Sequence, residues 1–452
     1  MKCIFLICLS VVLCLGCEDD DDDINGQTIQ SNNSTRQPDL GNMDKPDGMT
    51  NPDIMIDPNE VFKAQSLVAE ITHVQPMTGI VLWEDDWNDG NIKNDIQLEY
   101  AYFPPNEIIK GRQVYDWAAF DAFLDRVAAR GHQAIPRFYY AYVGRQTVVP
   151  DYIKEQNAYS ETKGTSEGEP TWFPDWRNAE LQNATLDFLS AFAARYDEDP
   201  RIAFLQVGFG LWGEYHIYDG PKELGKDFPS HAFQKQFIAL LDKELKTLKW
   251  AISIDAGRGE LSVFPADSSL KKASFGNFDD SFMHKDHKAE NEPNWEFFTY
   301  KERYKKEVLG GEFSYFTDFD QKNVLNPDGL YGFTFKEFST SFYITYMIGN
   351  DQPSYAFKNR IAKAGMNTGY KFRITLLEAS DVHTRVEIKN EGVAPIYYDA
   401  FPAVDGLKAA GTLKGLLPGK SKTFVISKSG GTFSIECDRL VSGQKIEFKA
   451  SL

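Results

Sequence analysis

The chain has 452 residues, 42% of them hydrophobic and 25% charged, with a formal net charge of −18. That is enough apolar mass for a sizeable core, and an acidic balance without a basic patch argues against a nucleic-acid partner. Of its five cysteines, four fall in the first 17 residues, so Cys437 alone is left to the rest of the chain and neither a disulfide nor a cysteine metal site is expected there.

Lys2 followed by the apolar run Cys3–Leu15 reads as a signal peptide, too short for a stable transmembrane helix. It ends Val12-Leu13-Cys14-Leu15-Gly16-Cys17, which resembles a bacterial lipoprotein cleavage box with Cys17 as the lipidated residue. The expectation is a protein held to a membrane by lipid without spanning it, in the bacterial cell envelope and at the outer membrane, periplasmic or surface-exposed. Glu18–Glu60 then carries 12 acidic residues against Arg36 and Lys45 and cannot build a core. It reads as a disordered, solvated tether, with Asp19–Asp23 as spacer rather than calcium ligands.

From residue 61 to 368 apolar runs alternate with helical patterns, the signature of successive βαβ units. Strands are predicted at Gly79–Trp83, Ile96–Phe103, Gln133–Tyr140, Ile202–Val207, Trp250–Ile254, Ala273–Phe278, around Glu307–Phe316 and at Phe342–Ile348. Helices are predicted at Asp116–Arg130, Ala179–Tyr196 and His231–Leu248, each with apolar residues at helical spacing. Eight units over this length suit an α/β fold, a (β/α)₈ TIM barrel. A long loop from Ala141 to Asp175 carries Trp172 and places Trp176 just beyond its end. From residue 369 to 452 the period changes to two, with turns at Asn390-Glu391-Gly392 and Pro418-Gly419, which predicts a small all-β, immunoglobulin-like antiparallel sandwich.

The chemistry is expected where strand four breaks into Gly208-Phe209-Gly210-Leu211-Trp212-Gly213 and delivers Glu214, Tyr215 and His216. A second glycine-framed carboxylate, Glu312, follows Gly310-Gly311 at strand seven. The ends of strands four and seven face each other across a barrel mouth, and cleavage of a glycosidic bond needs two carboxyl groups so placed. Glu312 has a second reading, as a structural ion pair with Arg137. Trp83, Trp87, Trp172, Trp176, Trp212 and Tyr215, at strand ends or in rim loops, would stack on sugar faces, while Arg137, His216, Asp255 and Asp279 would bind hydroxyls. His284 and His287, with Asp279, Asp280 and Asp286, lack a recognised metal spacing and read as a solvated loop. No metal and no organic cofactor is expected.

These motifs carry a resemblance. Val114-Tyr115-Asp116-Trp117, Phe209–His216, Gly310-Gly311-Glu312, Gly369-Tyr370-Lys371-Phe372 and Ile388–Tyr398 together resemble a bacterial envelope family of unknown function, built as a glycoside-hydrolase-like (β/α)₈ barrel followed by a β-sandwich. The likeness covers roughly Met77–Ile426. The barrel also looks like the large clan of retaining glycosidases that includes family forty-two-type β-galactosidases. That resemblance implies an acid/base glutamate at Glu214 and a nucleophile at Glu312. The clan has Asn immediately before its acid/base residue, where this chain has Gly213. The expected function is a lipid-anchored glycoside hydrolase acting on a poly- or oligosaccharide; the alternative is a non-catalytic glycan-binding surface lipoprotein on the same scaffold.

Overall fold

The structure, a computed structural model, describes residues 57–84, 93–355 and 358–452. The signal segment with Cys17, the tether as far as residue 56, and Trp87 lie outside the described residues. Eight strands occupy the predicted positions in the chain: β1 (Gly79–Trp83), β2 (Leu98–Phe103), β3 (Gln133–Phe138), β4 (Phe204–Gln206), β5 (Lys249–Ser253), β6 (Gly276–Phe282), β7 (Leu309–Phe313) and β8 (Tyr346–Ile348). They close into a barrel in chain order, each neighbouring pair parallel. Between them, helices α1 (Ala118–Ala129), α2 (Ala179–Tyr196) and α3 (His231–Glu244) bury one apolar stripe each against the barrel. Asn178 caps α2 by accepting from Leu181 N at 3.0 Å, which satisfies one of the helix's free amides.

Two strands differ most from their expected bounds: the sixth ends at Phe282 rather than Phe278, and the eighth begins at Tyr346 rather than Phe342. Asn277-Phe278-Asp279-Asp280-Ser281 is polar enough to read as a loop. It stays extended because each acid finds a partner: Asp279 on the outer face accepts from Trp295 Nε1 at 2.9 Å, and Asp280 on the inner face accepts from Arg137 Nη2 at 2.8 Å. The β6–β7 pairing shifts register between Asp279 and Phe282, a bulge of the kind found beside active sites. The long loop after β3 also holds structure of its own, a hairpin of Thr162–Ser166 and Glu169–Phe173.

The C-terminal sheets pack on the N-terminal ends of the barrel strands. Tyr370 Oη donates to Pro76 O at 3.1 Å, Tyr397 Oη to Tyr304 O at 2.9 Å, and Tyr398 Oη to Ala203 O. Arg439 adds bonds to Ile202 O and Asp197 O at 2.7 and 3.0 Å. One apolar core runs from Phe204 and Val308 in the barrel into Phe372, Ile374 and Val386 of the sheets. The base of the barrel is thereby closed, and the mouth lies at the other end.

Two details depart from expectation. Lys63–Ala64 and Val68–Ala69, expected with the barrel, pair instead with the C-terminal strands Phe372–Ala379 and Phe448–Ser451. Those last two strands run parallel to each other, so this sheet is mixed rather than wholly antiparallel.

Candidate active site

The loop leaving β4 is held by its own backbone. Phe209 N and Gly210 N both donate to Glu214 O, at 2.9 and 2.8 Å, and Leu211 N donates to His216 O at 3.2 Å. So close a fold-back leaves no room for side chains: a Cβ on Gly210 would lie 1.7 Å from His216 O. Gly213 has φ +69°, and a Cβ there would lie 2.6 Å from Phe138 O and 3.2 Å from Arg137 Cγ. The Asn that the glycosidase clan carries at this point is therefore sterically excluded. Trp212, also left-handed at φ +59°, turns its carbonyl to accept from Arg137 Nη1 at 3.3 Å. Its ring reaches the rim, edge-on to Tyr142 at 4.0 Å, with Nε1 donating to Tyr218 Oη at 3.0 Å.

Arg137 is the hub of the mouth. It is 0% exposed, with Nε bonded to Gln206 Oε1 at 2.7 Å, Nη2 to Asp280, and Nη1 to Tyr102 Oη at 3.3 Å. Its guanidinium lies 4.3 Å from the centre of the Phe278 ring. Gln206 in turn donates to Tyr346 Oη at 2.7 Å. With its donors so committed, Arg137 orients carboxyl groups from beneath the cavity rather than meeting a sugar hydroxyl, as had been expected of it.

Glu214 is 8% exposed, with Oε1 3.8 Å from Arg137 Nη1 and Oε2 3.6 Å from His216 Nε2. Burial and the neighbouring Asp280 push its carboxyl well above the ordinary range, against the pull of His216 and Arg137. Burial raises Asp280 as well, but of the two acids Asp280 takes the direct hydrogen bond from Arg137, which favours its charged form over that of Glu214.

Glu312 arrives on β7 where Gly310 makes space for Tyr346; a Cβ on Gly310 would lie 2.5 Å from that ring. The Glu312 carboxyl is 8% exposed and has no hydrogen bond or ion pair among the described residues. The alternative ion pair with Arg137 is not formed, because Asp280 holds that position. Burial pushes Glu312 up to about 8, only partly offset by Arg137, with Asp280 and Asp351 adding to the rise.

His216 bridges Glu214 to Asp255, its Nδ1 3.3 Å from Asp255 Oδ2. Burial pulls the imidazole down, but Asp255, Glu214 and Asp280 outweigh it and lift it to about 9. Ligand atoms of Glu214, His216 and Asp255 all lie within 4.8 Å of one another, close enough to hold a metal ion. A metal would have to displace the proton of an imidazolium that already supplies the local positive charge.

The mouth thus has an acid side, formed by Glu214, His216, Asp255, Asp280 and Glu312, and an aromatic side. On the latter, Tyr102 packs edge-on against Trp83 at 5.5 Å, Tyr139 at 5.7 Å and Tyr142 at 5.9 Å. Three of the expected sugar contacts are not in the mouth. Tyr215 is 0% exposed and donates to Gln234 Oε1 at 3.1 Å in the core, turned away from its neighbours Glu214 and His216. Asp279 faces the helix layer, where it also accepts from Asn291 Nδ2 at 2.7 Å. Trp176, expected at the rim, is core as well, packed against Phe209 and Phe233.

Nor do His284 and His287 form a solvated loop; both are buried. His287 packs on Phe282, Phe338 and Phe342, and burial pulls its imidazole down to about 3, so it is a neutral core residue. Asp280, the acid that sequence reading passed over, carries a signal after all: two residues after Phe278, it shares the inward face of a strand.

No protein-family model and no curated protein matches the chain. Among solved structures, it is similar to the galactosidase domain of an α-galactosidase–sucrose kinase, at 10% identity and a TM-score of 0.37, covering 78% of this chain and 55% of that one. It is also similar to a family 39 glycoside hydrolase from Bacteroides cellulosilyticus, at 12% identity and a TM-score of 0.40, covering 80% of this chain and 83% of that one. A third is the trehalose-6-phosphate hydrolase of Bacillus licheniformis, at 10% identity and a TM-score of 0.34, covering 78% and 100%. The chain spans about half the length of the first of these. The barrel rests on the chain's own strand pairing.

Proposed function

We propose that the mouth hydrolyses glycosidic bonds, with Glu214 as general acid/base and Glu312 as nucleophile or general base. The observation that carries the reading is a pair of buried glutamates on β7 and the β4 exit loop, held beside Arg137 and opposite an aromatic wall. Glu214 keeps its proton and so can protonate a leaving oxygen. Glu312 must be ionised to attack carbon or activate water, and nothing bonded to it has to be displaced first. Its proton is held to about 8, so turnover should rise as pH climbs toward that value and not peak in acid. The substrate is an oligo- or polysaccharide whose rings stack on Trp83, Tyr102, Tyr142 and Trp212.

The test is a glycan screen at pH 8 with the native protein, Glu214→Gln and Glu312→Gln. Each variant should lose at least about a hundredfold in kcat, the low end of acid–base contributions. Glu214→Gln should recover on aryl glycosides whose leaving group needs no proton. A native protein that cleaves while both variants keep full activity would overturn the assignment.

A second reading, glycan binding without cleavage, draws on one observation: near neutrality both glutamates hold protons, which leaves no free nucleophile. Retained glycan binding by the native protein, with no cleavage at any pH up to 9, would favour it. On the sequence alone we also propose that Cys17 is lipidated and holds the protein in the envelope. Cys17→Ser should then move the protein from the detergent phase to the aqueous phase.

A further inference from the structure

The connection that leaves β7 sorts its apolar residues by type. Val324, Leu325 and Leu330 are buried, while Tyr315, Phe316, Phe319 and Tyr331 stand 38%, 51%, 57% and 40% exposed. Exposed rings on a loose segment would mean little, but this one is tied down. Buried Asp320 accepts from Ser314 Oγ at 2.9 Å and from Tyr331 Oη, and Gln321 Nε2 donates to Phe313 O and Ser314 O at 3.0 and 2.8 Å. Gln352, beyond β8, holds the same turn by donating to Gln321 O at 2.7 Å. Tyr331 is kept left-handed at φ +52°, a strained backbone that persists only where its surroundings fix it.

The same sorting holds over the whole molecule. Among the described residues six large aromatic side chains are exposed: these four, Tyr218 and Tyr355. All six lie on connections that leave the carboxyl ends of β4, β7 and β8, and none lies on the C-terminal sheets. By contrast, five of the seven exposed aliphatic side chains, Val382 and Leu407 among them, lie on or beside those sheets. Clustered exposed apolar groups mark a surface that meets a partner, and flat rings suit the C–H faces of sugars. A protein partner would cover Leu and Val side chains equally well, yet this connection buries them. In the closed barrel β7 lies opposite β3, four strands away in either direction. The exposed rings therefore face the wall of Trp83, Tyr102, Tyr142 and Trp212 across the mouth. A ligand that touches both must pass the carboxyl groups.

We infer that the connection after β7 is a docking platform for a polysaccharide chain, which stacks on Phe316, Phe319 and Tyr331 while another stretch of the same chain lies on the opposite wall. The inference rests on the glycan reading above and narrows it. The substrate is a long chain, and the bond presented to Glu214 and Glu312 is internal rather than terminal.

The probes are mixed-linkage β-glucan, xylan, glucomannan, galactomannan and polygalacturonate, each tested against the whole protein by affinity electrophoresis. Glu312→Gln is the background, so that no probe is degraded during the run. At least one polymer should retard the protein, and its hexasaccharide should bind about tenfold or more tightly than its disaccharide. Phe316→Ala combined with Phe319→Ala should cost about tenfold in polymer affinity, as expected for two ring stacks, and leave disaccharide affinity within about twofold. Both rings are more than half exposed, so the double variant should keep the native melting temperature. Val382→Ala, exposed at the C-terminal sheets, should change nothing.

Retardation by none of the polymers, a hexasaccharide no tighter than its disaccharide, or a double variant that binds polymer as tightly as its background overturns the platform. So does self-association that the double variant abolishes, which would give the rings to a second copy of the chain. The hydrolase reading fails separately: a polymer binds through the rings, yet the native protein cuts none. Where the native protein does cut, the earliest products should span many chain lengths. Release of single sugars from the start would overturn the internal cut and leave the hydrolase standing.

Discussion

The two ends of the barrel are built differently. At the base, three tyrosine hydroxyls and Arg439 all find backbone carbonyls, and an apolar core runs without a break into the C-terminal sheets. At the mouth, Glu312 has no partner among the described residues, one oxygen of Asp280 is unmet, and burial pushes Glu214 toward its protonated form despite two neighbouring cations. Buried atoms without a partner occur at both ends, Arg439 Nε and Gln133 Oε1 among them at the base; what sets the mouth apart is that carboxyl groups are the ones left incompletely bonded. The sheets therefore act as a plug under the barrel, at the face away from the carboxyl groups.

The contrast can be broken most forcefully at Arg137. Arg137→Met leaves Asp280 buried without its cation, and loss of one partner of a buried pair costs about 3–5 kcal/mol. An unfolding free energy from chemical denaturation that falls by less than about 1 kcal/mol would mean the hub is not holding the mouth together. Glu312→Gln should act in the other direction and depend on pH. The folded protein holds this proton to about 8 while the unfolded chain releases it near 4.5, so ionisation costs the native fold stability as pH rises between those values. The variant should match the native protein at pH 4 and exceed it at pH 9, by up to about 5 kcal/mol if the whole shift is expressed. Equal thermal stability across that range would show that Glu312 is not desolvated.

Gly213→Asn, which restores the residue pair of the glycosidase clan, should destabilise rather than improve the site. The left-handed backbone alone costs about 1–3 kcal/mol for such a residue, and the contact with Phe138 O adds to it. A stable, more active variant would mean that the loop can rearrange. The smallest effect belongs to the base. Tyr398→Phe removes the hydrogen bond donated to Ala203 O and the one accepted from Lys249 N, and should cost about 1–2 kcal/mol in a thermal melt. It should leave sugar binding at the mouth unaltered; a change there would show that the plug and the mouth are coupled.

Much of this molecule is legible in one dimension. The alternation of short apolar runs with amphipathic helices marks the eight strands, because a buried parallel strand must be apolar on both faces and its helix on one. Glycines crowded before Glu214 and Glu312 mark the two strand ends where backbone or rings approach too closely for a side chain. Sequence falters where a polar segment is extended for tertiary reasons. Asp279-Asp280 has the composition of a loop, and only Trp295 behind it and Arg137 before it make it a strand.

What the sequence determined by itself is the inventory: a barrel, a sheet domain after it, and two glutamates at strands four and seven. Those follow from local periodicity and from the steric demands of glycine, which act over a few residues. What only the tertiary structure decided is direction and partnership. Whether Tyr215 or Glu214 faces the mouth, which acid Arg137 takes, and which carboxyl keeps its proton all depend on contacts between residues far apart in the chain. Burial and charge act through space, and no spacing along the chain encodes them.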